Sequence, residues 1–201
     1  MEEEYKKETI ASYDAHAAHH SQKFQRMFDL SRRPEFAKFM KYLHGRKILD
    51  LGCGPGYHAQ YFSTQGLDVV AADLSDEMVA LCKAIDLNVV KMDIENITLE
   101  DNSFDGVWAV TSLLHIPKKN MRKVISDICR VLKKDGVLYV SFKEGDGEGF
   151  IPDVGVSSRR YFAFWREDEL VRAFNTRFDV IESWTTTAEG KTFAEALFRK
   201  K

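Results

Sequence analysis

Three glycines at alternate positions, Gly52, Gly54 and Gly56, follow the apolar run Lys47-Ile48-Leu49-Asp50-Leu51 and precede a helical pattern that begins at Tyr57. Glycines at that spacing let the backbone turn tightly and come within van der Waals reach of a ligand that any Cβ would push away. The helix after them aims its free N–H groups at the same ligand. A further apolar run, Leu67 to Ala72, ends in Asp73. A carboxylate at the end of a second strand can accept both hydroxyls of a ribose, and its separation from the glycines suits a βαβ unit. The chemistry these residues offer is recognition of an adenosine-bearing ligand, the alternative being a tight strand-to-helix turn that binds nothing.

The spacing separates two kinds of cofactor. The dinucleotide fingerprint Gly-x-Gly-x-x-Gly, started at Gly52, needs glycine where this chain has Tyr57. Asp50-x-Gly52-x-Gly54-x-Gly56 instead resembles the first motif of the class I S-adenosylmethionine-dependent methyltransferases. A second stretch, Arg130-Val131-Leu132-Lys133-Lys134-Asp135-Gly136-Val137-Leu138, resembles that family's junction between a helix and the fifth strand. The resemblance covers the chain from about residue 45 onward. It implies S-adenosylmethionine as cofactor, held by Asp50, Gly52, Cys53, Gly54 and Gly56 in the first motif and by Asp73 and Leu74 after the second strand. It further implies contacts from Met92, Asp93 and Ile94 after the third strand, where Asp93 would meet the adenine amine, and from Val110 at the end of the fourth. Met78 reads as core with an adenine contact open to it, and Asp93 as a turn cap in the alternative. Tyr13, in Tyr13-Asp14, resembles the N-terminal segment that closes over the cofactor in many small-molecule enzymes of the family, and otherwise reads as a packing tyrosine.

On the acceptor side, open α/β sheets place their chemistry in the loops at the C-terminal ends of the strands. His115 lies in the loop after the fourth strand and is the candidate general base, or else a structural hydrogen-bonder. A sulfonium is already an activated methyl donor, so alignment and exclusion of water do most of the work and little acid or base chemistry is needed. The loop lacks Asn/Asp-Pro-Pro-Tyr/Phe, which weighs against nucleobase amino-methylation. Strand four ends without a carboxylate for magnesium, so the expected reaction uses no metal. The run Ser141 to Glu148 with Arg159-Arg160-Tyr161-Phe162 looks like a pattern in bacterial methyltransferases of undefined substrate. Lys143, Arg159 and Arg160 there can receive a carboxylate or phosphate, or form a solvated charged loop. His16, His19 and His20 share a helical face but lack a completing ligand set, and read as solvated.

The elements that must position these residues follow from periodicity. Residues 1–44 read as helical, with Phe24, Met27 and Phe28, then Phe36, Phe39, Met40 and Leu43 apolar, and with Pro34 at a helix start. Beyond them, strands at 67–73, 88–91, 104–110 and 137–142 alternate with helices at 57–65, 75–85 and 118–134, the last ended by Asp135-Gly136. Residues 143–160 read as a glycine-rich, charged loop and Glu167 to Phe174 as a helix. The strands Phe178 to Thr186 and Thr192 to Phe198 can hairpin through Glu189-Gly190. The fold class expected is α/β, a Rossmann-like three-layer sandwich on a mostly parallel seven-stranded sheet. The family resemblance adds the order 3-2-1-4-5-7-6, with strand 7 antiparallel.

At 201 residues, 44% of them hydrophobic and 12% aromatic, the chain suits one domain, 1–44 forming a helical lid and 45–201 the core. A net charge of -2 gives no basic field for nucleic acid, so the expected partner is a small-molecule methyl acceptor; an RNA or protein acceptor, or binding without catalysis, are the rivals. Cys53, Cys82 and Cys129 form no Cys-x-x-Cys pair and read as reduced thiols. The charged start Met1-Glu2-Glu3-Glu4 has no apolar signal core and no run reaches membrane-spanning length, so the expected location is cytoplasmic and off the membrane.

Overall fold

A computed structural model describes residues 4–27, 34–188 and 190–201. Parallel central strands buried on both faces are mostly apolar, and Lys47–Leu51 (β1) has four of its five residues buried, Asp50 being the one carboxylate among them. It pairs in parallel with Asp68–Asp73 (β2) on one side and Phe104–Val110 (β4) on the other, and Val89–Lys91 (β3) extends the sheet beyond β2. Leu132–Lys143 (β5) runs parallel to β4. Counting the hairpin strands Glu148–Pro152 (β6) and Arg159–Ala163 (β7), which form a separate two-stranded sheet, the last two main-sheet strands are Phe178–Ala188 (β8) and Lys191–Lys200 (β9). The seven-stranded order is β3-β2-β1-β4-β5-β9-β8, with β9 antiparallel to both neighbours. With the hairpin set aside this is the expected 3-2-1-4-5-7-6. Gly190 makes the last turn at φ +70, and Glu189, its expected partner there, lies outside the described residues.

Helices cover both faces. Lys118–Val131 (α6) puts Met121, Val124, Ile125, Ile128 and Val131 on one stripe, and Glu167–Phe174 (α7) adds Leu170 and Phe174 to the same apolar layer. On the other face Pro34–Tyr42 (α3), Tyr57–Thr64 (α4) and Asp76–Ala84 (α5) contribute Phe36, Phe39, Phe62 and Cys82. Phe36 and Phe39 lie 4.7 and 5.2 Å from the Trp108 ring, which stacks on Tyr139 at 4.2 Å. That aromatic layer anchors α3 to the sheet. Above the C-terminal ends of the strands lie Glu4–Ala15 (α1) and Ala17–Met27 (α2).

Four expectations are corrected. First, α6 stops at Val131, because Leu132 pairs with Phe104 in β4; Lys133 then bonds Asp105 at 2.9 Å and Asp135 takes φ +62 inside an irregular start to β5. Second, residues 143–160 are not an open loop. β6 and β7 form a hairpin whose turn is closed by Asp153 N–H donating to Ser158 O at 2.8 Å, with Phe150 and Tyr161 in ring contact across it. Third, His20 is not solvated: it is 2% exposed, its ring 4.9 Å from that of Tyr13. Fourth, the N-terminal region breaks at His16 into two helices, and Phe28 of the expected apolar pattern lies outside the described residues.

Candidate functional site

The turn after β1 is built from hydrogen bonds that leave one side open. Gly52 and Cys53 N–H both donate to Ala72 O, at 2.7 and 3.0 Å, tying the loop to β2, and Ser112 Oγ donates to Leu51 O at 2.6 Å. All three glycines have positive φ: +76, +54 and +84 for Gly52, Gly54 and Gly56. Their reasons differ. A Cβ on Gly52 would fall 2.3 Å from Ser112 Cβ, and one on Gly56 would fall 2.5 Å from Leu87 Cδ1 and 2.8 Å from Cys82 Sγ. A Cβ on Gly54 would meet nothing nearer than Phe24 Cε2 at 4.0 Å. Gly54 therefore faces a cavity, and the other two serve packing.

Asp73 stands beside it with both oxygens fixed. Gly54 N–H donates to Oδ2 at 2.8 Å and Ser75 N–H to Oδ1 at 3.0 Å, while Ser75 Oγ accepts from Met78 N–H and caps α5. Each carboxylate oxygen keeps a lone pair for a ligand hydroxyl. Burial raises the Asp73 pKa while the backbone N–H groups of Ser75, Gly54 and Leu74 pull it down. The cavity wall continues through Leu74, Met78, Asp93, Ile94 and Val110 from the strand ends, with Gly52, Cys53 and His115, and Tyr13 reaches it from α1. Three expected ligand residues stand behind this wall. Met92 is core, Gly56 packs on Leu87 and Cys82, and Asp50 is 1% exposed. The Asp50 carboxyl is pushed up to about 8, by burial first and then by the charge of Asp73.

The contacts of α1 through Tyr5 and Lys6 were not singled out by sequence. Lys6 Nζ bonds Asp93 Oδ2 at 2.6 Å and Glu95 Oε2 at 2.9 Å, Tyr5 OH donates to Glu95, and Ser75 Oγ donates to Asp14 Oδ1 at 2.5 Å. Asp93 also caps its own turn, Oδ1 accepting from Glu95 N–H at 2.9 Å, and lines the cavity. Thr111, at the mouth of β4, has φ +50, a strained conformation for a β-branched residue. No periodic pattern signals such a residue.

A hydrogen-bonded chain runs from the hairpin to the loop after β4. Asp153 pairs with Arg160 through both oxygens, Nε to Oδ2 at 2.7 Å, and also accepts from Ser12 Oγ at 2.8 Å. Arg160 Nη1 donates to Tyr13 OH at 2.6 Å, and Tyr13 OH lies 2.9 Å from His115 Nε2. His115 Nδ1 is 2.6 Å from Tyr161 O, a carbonyl, so Nδ1 carries the proton and Nε2 accepts from the tyrosine. Burial, then the Arg160 charge, lowers the His115 pKa to about 3. Arg160, expected to receive an acceptor anion, is 7% exposed and already committed to Asp153 and Tyr13. Arg159 pairs with Glu8 on α1. Lys143 sits apart from these pairs, its Nζ 3.8 Å from the centroid of the Phe162 ring.

Residues 49–140 match a family model described as a methyltransferase domain. Malonyl-[acyl-carrier protein] O-methyltransferase of Enterobacter lignolyticus is 33% identical over 138 residues, 66% of this chain and 52% of that protein. Ubiquinone biosynthesis O-methyltransferase of Dechloromonas aromatica is 30% identical over 106 residues, 49% of this chain and 45% of that protein. The chain spans about half the length of the curated relatives it matches. Among solved structures, 1,6-didemethyltoxoflavin-N1-methyltransferase of Burkholderia thailandensis, determined with 1,6-didemethyltoxoflavin and S-adenosylhomocysteine bound, superposes with a TM-score of 0.81 at 21% identity, covering 100% of this chain and 91% of that one. A methyltransferase of Methanosarcina mazei gives a TM-score of 0.72 at 20% identity, over 80% and 95% of the two chains. Sheet order, glycine turn and these matches agree: residues 49–140 carry the pattern of a methyltransferase domain, on the fold seen in S-adenosylmethionine-dependent methyltransferases.

Proposed function

We propose that the protein transfers a methyl group from S-adenosylmethionine to a small-molecule acceptor by metal-free in-line displacement. The observation that carries this is Asp73 pinned by the Gly54 and Ser75 N–H groups beside the one glycine of the turn whose Cβ position opens onto the cavity. That cradle fits an adenosyl group: Asp73 would accept the ribose hydroxyls, the Gly54 backbone would approach the ligand, and Asp93, Ile94 and Met78 would border the adenine. The cofactor supplies a methyl group already activated on a sulfonium, so the chain's own residues have to bind, orient and exclude water.

α1 lies over the cavity as a lid, and Tyr13 and His115 wall its acceptor side. His115 is neutral, holds Tyr13 through Nε2, and with a pKa near 3 is a weak base at neutral pH. Its role in this reading is to fix Tyr13 against the acceptor, with the acceptor's own nucleophilicity driving the displacement. A covered cavity favours a small acceptor, as do relatives named for ubiquinone biosynthesis and 1,6-didemethyltoxoflavin. Calorimetry with S-adenosylhomocysteine and NADH tests the cofactor: binding of the first and none of the second is expected. Labelled methyl donor with cell extract tests the acceptor; label confined to RNA or protein would overturn the small-molecule reading.

A further inference from the structure

Lys143 ends β5, the strand next to β4, and its ammonium lies on the Phe162 ring, which in turn is 4.9 Å from the His115 ring. Among the described residues no carboxylate is paired with it. Its charged surroundings include Arg160, Lys191 and Lys23 of α2; of the acids near it, Asp153 is engaged by Arg160 and Ser12, and Asp146, which with Glu144 lines the same pocket as Lys143, is held by Arg166. A half-buried ammonium ringed by cations is costly to hold unpaired. Burial and those three cations together lower its pKa to about 8. A second group points the same way: His20, 2% exposed, has no hydrogen-bond partner for Nε2 and lies 4.0 Å from Asp153, within the field of the same Arg160 and Lys23.

We infer that the methyl acceptor is an anion, a small molecule bearing a carboxylate or phosphate, whose negative group is seated by the Lys143 ammonium at the Phe162 face, between β5 and the lid. The inference rests on the methyltransferase reading. An anion at this place supplies the missing counter-charge to Lys143 and lies one aromatic ring away from His115, so the rest of the molecule can extend toward Tyr13 and the donor methyl. Arg160 is not the receiver, because its donors are spent on Asp153 and Tyr13; it shapes the site by holding Tyr13.

The test divides a small-molecule cell extract by anion exchange before the reaction, then supplies each fraction with labelled S-adenosylmethionine and the protein. Acceptor activity is expected in the retained, anionic fraction. Lys143→Met should cut that labelling about tenfold or more by loss of a charge-assisted contact. Lys143→Arg should restore most of it, and S-adenosylhomocysteine affinity should be unchanged in both. Phosphatase treatment of the active fraction separates the two sources: lost activity identifies a phosphate, retained activity a carboxylate. Acceptor activity in the unretained fraction, or Lys143→Met at the wild-type rate, would overturn the inference while leaving the methyltransferase standing. No label from either fraction, with no S-adenosylhomocysteine binding, would remove the methyltransferase reading itself and this inference with it.

Discussion

Substituting the glycines of the turn one at a time separates the residue that meets the ligand from those that only pack. Gly54→Ala puts a methyl group where the nearest protein atom is 4.0 Å away, so the folded protein suffers only the left-handed backbone at φ +54. That strain is about 1–2 kcal/mol, offset in part by roughly 0.4–1 kcal/mol from a stiffer unfolded chain. The net, about 1 kcal/mol, lowers the melting temperature of a domain this size by about 2–4 °C. The same methyl occupies space proposed for the cofactor, and overpacking of about 1–3 kcal/mol there should weaken S-adenosylhomocysteine binding by roughly 5- to 200-fold. Gly52→Ala does the reverse. Its Cβ meets Ser112 Cβ at 2.3 Å and Ile94 Cδ1 at 3.3 Å, adding overpacking of about 1–3 kcal/mol to the same strain, so the fold is hit first. Urea melts and calorimetry on both variants read the two effects apart. A Gly54→Ala protein that melts within a few degrees of wild type and binds S-adenosylhomocysteine equally well would refute the placement of the cofactor at this turn.

Two further outcomes follow from the same geometry. Asp73→Ala removes the expected partner of the ribose hydroxyls and leaves the Gly54 and Ser75 N–H groups unpaired, so cofactor affinity should drop by about 1–3 kcal/mol; calorimetry showing wild-type affinity in a folded variant would take Asp73 out of the site. His20 is pushed down to about 4, first by burial and then by Arg160, so between its unfolded value near 6.5 and that folded value the unfolded chain holds the extra proton. Its contribution is complete above about pH 6.5 and shrinks as pH falls, by about 2 kcal/mol at pH 5; denaturant titrations of His20→Phe should show a flatter loss over that window than wild type, and an identical slope would contradict the assignment.

The parts of the molecule legible in the sequence are those set by local periodicity. The limits of β4 and α7, the Ser75 cap, and the glycine turn with Asp73 at the next strand end depend on neighbours a few residues away. The lid contacts depend on partners far along the chain: Lys6 on Asp93, Thr9 Oγ1 on Tyr161 N–H, Ser12 on Asp153. No window of sequence contains both ends of such a bond. The hairpin β6–β7 was hidden for a different reason. Its glycines and charges read as loop, yet Phe150, Tyr161 and Phe162 find ring partners and Tyr161 packs on Tyr5 of α1, so tertiary contacts decide the structure. Arg160 shows the same limit at the level of one side chain: its type suited an anion receiver, but Asp153, brought close by the hairpin turn, had claimed it.

If α1 is the lid through which ligands enter, the character of its contacts explains how it can open while the core stays closed. α3 is held by Phe36 and Phe39, 1% and 0% exposed, against Trp108 and Phe62, an arrangement whose disruption exposes a large apolar area. α1 buries Tyr5, Thr9 and Ser12, and apart from the Tyr5–Tyr161 ring contact its ties are polar: Lys6 to Asp93 and Glu95, Asp14 to Ser75, Glu8 to Arg159. Water can replace the Glu8–Arg159 pair, the most exposed of them, at roughly 0–1 kcal/mol. The chain from Asp153 through Arg160 and Tyr13 to His115 joins this helix to the hairpin and to the loop after β4. Lifting α1 therefore withdraws Tyr13 from both Arg160 and His115 at once, and returning it restores the acceptor wall in a single step.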